Sequence, residues 1–432
     1  MISKSKFIRV VFSVVFLFLS SQLLVAGQKA DSTIHQLVQQ RTDQIFDSLV
    51  KIRRDFHMYP EVSGEEKMTS GKVAEYLKAL GLEVHTNIGG YGVVGILETN
   101  RKGKKIAWRA DMDAMPSDQQ DPVAYHSEME GVRHICGHDV HTTIGLGIAN
   151  VLTSLKDQLS GTVYFLFQPS EENWKGARAM LDDGILEMIQ PDEIYALHVA
   201  PMPEGTIATR GNNLYADYKI MEILFDNIIE KDALTAYVKS LLEDLQNVAP
   251  DSKFWDNRSL MDPTIGLGNP NTIFKDYITT TEYFRVEEKN GQLSIKANLC
   301  TSEKDQIDSI VMEIKEKIKA SEYAKSFAGI NTLFEVDLVL NDEELADQTI
   351  KSISSIYGPQ HAIPLYGVIP DGRSDDFAFF QQEVPGVYFL IGASDYQKGI
   401  ISMPHSPNFV VDENCIRTGA QFFSSMIVER LK

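Results

Sequence analysis

The chain is predicted to be α/β, with a layered main domain on a largely parallel central sheet and a smaller α+β domain inserted into it. Three observations predict this. Short β-rich runs alternate with helical periodicity on both flanks of the chain, as parallel layered sheets require. The middle, from about 213 to 335, breaks that rhythm with its own strand, helix, paired-strand and helix pattern. The 432 residues exceed one ordinary core and suit two or three domains of ~100–200 residues each.

In chain order, Ile34 to Met58 predicts a helix, because Leu37, Ile45, Leu49 and Ile52 recur three or four positions apart or at multiples of that spacing. Ser63-Gly-Glu-Glu66 reads as the start of a second helix ending at Gly81. Lys105 to Ala110, Thr162 to Phe167, Glu193 to Val199 and Gly386 to Ile391 read as strands. His141 to Leu155, Ala177 to Ile189 and Asn414 to Leu431 read as helices. In the middle, Lys231 to Leu245 and Glu303 to Ala320 are helical, Thr279 to Ala297 forms paired strands, and Pro250 to Asn271 is irregular, giving a βαββα-like insert. Gly90-Tyr-Gly-Val-Val-Gly95 matches the glycine spacing of dinucleotide loops. More strand follows it where a helix N-terminus is needed, so it reads as a hairpin turn.

Composition is that of a soluble globular chain, 43% hydrophobic and 23% charged, and the net charge of −19 excludes a nucleic-acid partner by repulsion. Lys4, Lys6 and Arg9 precede the apolar run Val10 to Leu19, and small residues follow near Ala26 and Gly27. Residues 1–27 therefore read as a cleaved secretory signal, too short in its apolar run to span a bilayer at ~20 residues. The expectation is an exported protein, periplasmic or secreted, with no membrane attachment after cleavage. Three cysteines, Cys136, Cys300 and Cys415, leave an odd thiol that a metal could occupy.

Five segments carry metal-binding side chains, most of them just beyond predicted strands, where open α/β sheets place their sites. They are Arg109-Ala-Asp-Met-Asp113, His134-Ile-Cys-Gly-His-Asp139, Glu171-Glu172, His198 and the loop around His405. Each alone has a plain structural reading: His198 as a core histidine, the glutamate pair as a solvated helix start. Together, thiolate, imidazole and carboxylate are the donors zinc accepts at ~2.0–2.3 Å.

The strings RADMDAMP, HICGHDVHTT, FQPSEE, ALHVAP, DDFAFFQQEVPGVYFLIG and MPHSPNF resemble the metallo-amidohydrolases that include hippurate hydrolases, aminoacylases and indole-acetyl-amino-acid hydrolases. The resemblance runs from about His57 to the C-terminus across the main, catalytic domain, divided here as 28–212 and 336–432 with the lid domain at 213–335. It implies Cys136, His138, Glu172, His198 and His405 as ligands of two divalent ions, Glu171 as general base, and Asp113 as a carboxylate orienting a ligand. It also implies homodimerisation through the lid and a pocket near Asp375 and Asp376. Physically, a carboxylate outside the coordination sphere must take a proton from water and pass it to the leaving nitrogen. Glu171 suits this if Glu172 is pinned and the pair diverges along an extended turn. Asp113 and Asp139 are each candidates either to orient a ligating imidazole or to cap a helix. His57, His134 and His141 read as helix-end or loop residues.

The insert departs from the family. Its lid histidine is missing, since no histidine lies between His198 and His361, and Cys300 stands near the family's lid arginine. Tyr283, Arg285 and Lys296 are possible substitutes. The expected activity is hydrolysis of N-acyl amino acids or small dipeptide-like amides, with zinc first and manganese, cobalt or nickel also compatible. A peptidase acting on longer peptides, and a metal-retaining binding module that has lost catalysis, are the competing readings.

Overall fold

In the computed structural model the described residues are 34–432, apart from 228–229, 281–282 and 371–373. The expected export signal, 1–27, lies outside them. Helix α1 spans 34–58 and buries Val38, Ile45, Leu49 and Phe56 along one stripe. Helix α2 (Lys67–Ala79) leads into an antiparallel hairpin of β1 (Glu83–Ile88) and β2 (Gly92–Glu98). Gly89 and Gly90 take φ of 61° and 102° at its turn, so the glycine-rich stretch is a hairpin and not a phosphate cradle.

Next come β3 (Lys105–Asp111), α3 (His138–Ser154), β4 (Thr162–Gln168), β5 (Glu193–Pro203) and β6 (Ile207–Thr209). The helix expected over 177–189 is two short ones, Gly176–Asp182 and Ile185–Ile189, parted where Gly184 turns left-handed at φ 80°.

Residues 217–335 build a second, antiparallel sheet. Strand β7 (Asp217–Asp226) is followed by α4 (Lys231–Glu243), β8 (Ile278–Thr279), β9 (Phe284–Lys289), β10 (Gln292–Thr301), α5 (Gln306–Lys319) and β11 (Phe327–Glu335). β8 and β9 lie along one side of β10, β7 along the other, and β11 closes the far edge. The sheet has five strands, and β11, after the second helix, lies beyond the expected βαββα. Ile307, Ile310, Ile314 and Ile318 of α5 pack with Leu234, Val238 and Leu241 of α4 in a core of their own.

The chain returns to the main domain through α6 (Glu343–Tyr357), β12 (Ala362–Pro364), β13 (Gly386–Ser394) and α7 (Asn414–Arg430). The main sheet runs β1-β2-β4-β3-β5-β13-β6-β12, parallel through its centre and antiparallel at the β1–β2 hairpin, at β2–β4 and at β13–β6. Both faces are buried: in β4, Val163, Phe165 and Phe167 point to one core, Tyr164 and Leu166 to the other. From β3 the chain crosses to β4 on one side and then to β5 on the other. That reversal opens a crevice at their carboxyl ends. Among the described residues no helix is long and apolar enough to cross a membrane.

Candidate metal centre

Every segment singled out for metal-binding side chains ends at that crevice. Asp111 closes β3, Gln168 closes β4, His198 is the middle residue of β5, Cys136 lies two residues before α3 and His138 begins it. Gly137, between those two ligand candidates, takes φ 98°, and a Cβ there would meet Val199 Cγ2 at 2.5 Å. Only glycine lets the chain turn into α3 while pressed against β5. His405 arrives from a loop with its own φ at 60°, a left-handed conformation held by its N–H donating to the Ile135 carbonyl at 2.8 Å. Ser170 and Trp174, at φ 57° and 61°, bracket the glutamate pair.

Among the donor triads at the crevice two share a sulfur, and another joins His138 to Glu171 and Glu172. Of the two that share it, Cys136, His138 and His198 form one, Cys136, Glu172 and His405 the other. Cys136 Sγ lies 3.2 Å from His198 Nε2 and 3.1 Å from His405 Nε2. Glu172 Oε1 is 3.4 Å from His405 Nε2 and 3.7 Å from His138 Nε2. Ligands bonded at ~2.0–2.3 Å to a tetrahedral ion sit about 3.5 Å from one another. His138 Nε2 and Glu172 Oε1 are buried without a hydrogen-bond partner, a costly state that a cation removes. Burial pushes the Cys136 thiol well up, and His138 opposes it; a bound cation would instead hold the thiolate. The residues fit a pair of divalent ions.

Asp113 does not cap a helix here. Its Oδ1 faces His138 Nδ1 at 3.1 Å, and its Oδ2 accepts from Ser63 Oγ at 2.6 Å and from the Glu172 N–H at 3.0 Å. It therefore aims one candidate ligand and anchors the backbone of another. Asp139 does otherwise: it meets His57 Nδ1 at 2.7 Å and Arg53 Nε at 2.8 Å, and caps Val140 N. His141 Nδ1 meets Asp111 at 2.7 Å, and its Nε2 accepts from Val199 N, which fixes the strand that carries His198. His134 is buried with neither ring nitrogen hydrogen-bonded, and burial pushes it down to about 4.

Glu171 and Glu172 do not diverge as expected of an extended turn. The segment is a tight turn, and both carboxylates face His138 Nε2, at 3.8 and 3.7 Å. Burial and the neighbouring Asp375 and Asp376 push the Glu171 carboxyl well above the usual range. Those aspartates are themselves held by Arg109, fully buried, with Asp111 at 2.5 Å, Asp376 at 2.9 Å and Asp375 at 3.0 Å. Arg109 and Asp111 were visible in the RADMDAMP string but carried no spacing that marked them as neighbours of the aspartates beside Glu171. Tyr283, Arg285 and Lys296 lie away from the cavity: Arg285 stacks over Tyr283 and Lys296 pairs with Glu287. None of the three cysteines is in a disulfide.

A layered α/β domain whose sheet ends converge on thiol, imidazole and carboxylate donors, two adjacent glutamates among them, defines a metal-dependent amide hydrolase. Residues 107–429 match the model of peptidase family M20/M25/M40, and the chain belongs to that family. It is 30% identical to thermostable carboxypeptidase 2 of Saccharolobus solfataricus, over 87% of this chain and 94% of that one. It is 28% identical to an IAA-amino acid hydrolase of Arabidopsis thaliana over 91% and 87%, and 26% identical to an N-acetylcysteine deacetylase of Bacillus subtilis over 88% and 96%. Among solved structures, a dinuclear metal-binding M20 peptidase of Bacillus subtilis superposes with a TM-score of 0.71 at 24% identity, covering 90% of this chain and 99% of that one. Human carnosine dipeptidase 1 gives 0.59 at 14%, covering 92% and 99%.

Proposed function

We propose that the chain hydrolyses the amide bond of N-acyl amino acids or small dipeptide-like substrates, and that Cys136, His138, Glu172, His198 and His405 would hold two divalent ions beside it. The observation that carries this reading is the pair of donor triads sharing one sulfur, with Glu171 beside them. His138 and His198 would complete one ion's site, Glu172 and His405 the other's. When bound, such ions supply Lewis acidity toward an amide carbonyl and make a water easier to deprotonate.

The chain's own groups do the rest. Glu171, pushed up by burial and by Asp375 and Asp376, is a strong enough base to take a proton from water and a strong enough acid to return it to the leaving nitrogen. Asp113 keeps the His138 ring in one tautomer, with Nδ1 turned to the aspartate and Nε2 to the cavity. A pure binding module has no use for a free base there. Zinc suits the donor set, with manganese, cobalt and nickel as competitors. The basic and apolar pattern of residues 1–27 supports export, and the family likeness supports a homodimer.

A relative named as a carboxypeptidase favours a second reading, in which longer peptides are cut at their end. One screen tests both: metal-loaded protein is incubated with N-acyl amino acids, dipeptides and longer peptides, and the released amine is measured. Release from the first two groups supports the proposal, and release from peptides alone replaces it with the second reading. No release from a fully loaded sample leaves a binding module.

A further inference from the structure

His405 is the least enclosed of the five candidate ligands. Its side chain is 43% exposed, against 10% for the Glu172 carboxylate it faces, and it rides on the loop 403–409 with its own φ at 60°. Among the described residues, two hydrogen bonds hold that loop's backbone from outside. His405 N–H donates to Ile135 O at 2.8 Å, and Arg133 Nη1 donates to Pro407 O at 3.0 Å.

Arg133 is the end of a buried chain of charges. Its Nη2 lies 3.4 Å from Asp121 Oδ1, and Asp121 Oδ2 accepts from His57 Nε2 at 2.9 Å. On the far side of the ring, His57 Nδ1 donates to Asp139 Oδ2 at 2.7 Å, and Arg53 Nε meets the same oxygen at 2.8 Å. The side chains of Arg53, Asp139, His57, Asp121 and Arg133 are each at most 4% exposed, and their charges alternate along the chain. Both nitrogens of His57 face carboxylates, which only accept, so the ring carries two protons. Burial and the Arg53 charge push His57 down, but the two aspartates outweigh them and hold it above its ordinary value.

Buried ion pairs add little net stability, because desolvation offsets most of the attraction within them. What such a chain fixes is geometry. It starts at Asp139, next to His138 in sequence, and ends at Pro407, two residues from His405. The two ends do not depend on it equally. Asp139 also caps Val140 N and pairs with Arg53, and the His138 ring has Asp113. Among the described residues, no side chain from outside the loop other than Arg133 bonds the backbone of 403–409.

We propose that His57, Asp121 and Arg133 are positioning residues that brace the His405 loop, and that they set the affinity of one of the two divalent ions and not of the other. The inference rests on the metal-centre reading and adds to it residues outside the donor set. The test is a two-step zinc titration against a competing chelator, with wild type, Asp121→Asn, Arg133→Met, His405→Ala and Glu193→Gln. The amide in Asp121→Asn keeps the shape but accepts on one side only, so it cannot serve His57 and Arg133 together. His405→Ala removes the ligand and marks the step that depends on it. Glu193→Gln, far from the site, reports a loss of stability alone and should move neither step. Asp121→Asn and Arg133→Met should weaken the step marked by His405→Ala by ~10–100-fold and hold the other within about threefold. In either variant, two steps that fall alike, or that both stay within about threefold, overturn the proposal. Should Arg133→Met fail to fold, Asp121→Asn decides alone.

If wild type takes up no zinc, the metal reading fails by itself, and amide hydrogen exchange in the metal-free protein decides the brace. Exchange over 405–409 at least about tenfold faster in Asp121→Asn, with helix α3 unchanged, supports it. Equal exchange in the loop overturns it.

Discussion

Replacing Glu171 by Gln removes one proton acceptor and changes almost nothing else. The side chain is 7% exposed, its Oε2 lies 3.8 Å from His138 Nε2, and Asp375 and Asp376 crowd it with like charge. The amide has the same shape and no charge. Loss of general acid–base assistance lowers turnover by ~10²–10⁴, which is about 2.7–5.4 kcal/mol on the barrier. Stability should move the other way or not at all, because burial beside two aspartates already disfavours the carboxylate, and a neutral group there costs less. The assay is threefold: kcat on the best substrate, bound metal by elemental analysis, and the thermal midpoint. Turnover down at least a hundredfold, with metal content and midpoint kept, is the expected result. A fully loaded variant turning over within about threefold of wild type refutes Glu171 as the base.

Asp113→Ala removes the carboxylate from the Glu172 N–H and from His138 Nδ1, which keeps only the Asp113 carbonyl at 2.9 Å, and metal affinity should fall ~10–100-fold in a competitive chelator titration. Gly137→Ala forces a Cβ into a left-handed residue against Val199, and should cost at least ~1–3 kcal/mol in urea unfolding while weakening metal binding. Far from the site, Glu193 is held down to about 2: burial opposes this, but bonds from Arg430, Lys104 and the Tyr195 hydroxyl outweigh it. Its folded-state value is depressed, so the stability it adds is full above pH ~4.5 and disappears as pH falls toward 2. Wild type minus Glu193→Gln should therefore give about 2–3 kcal/mol at pH 6 and much less at pH 3.

Where hydrophobic periodicity was strong, the elements were legible. Thr162 to Phe167 became β4 almost residue for residue, because both its faces are buried and every position is apolar or β-forming. Strand β11 was missed because its last five residues are exposed and show no alternation. The 177–189 helix was read through Gly184, whose left-handed turn is a property of backbone geometry that apolar spacing does not reveal. In the site, Cys136, His138, Glu172, His198 and His405 were named from residue type and the family resemblance, and the structure brings their donor atoms together. The ring of Asp111, Arg109, Asp375 and Asp376 around Glu171 was not legible, since it joins positions some 265 residues apart through a buried guanidinium. The direction of Glu171 was misjudged because an extended turn was assumed where the chain folds tightly.

The central claim, that Cys136, His138, Glu172, His198 and His405 would hold two divalent ions, is tested most directly by metal stoichiometry. Protein purified without chelator and equilibrated with zinc should carry two ions per chain, and Cys136→Ala, which removes the donor common to both triads, should lose both. A wild-type chain that retains no ion, or a Cys136→Ala variant that retains two at unchanged affinity, contradicts it.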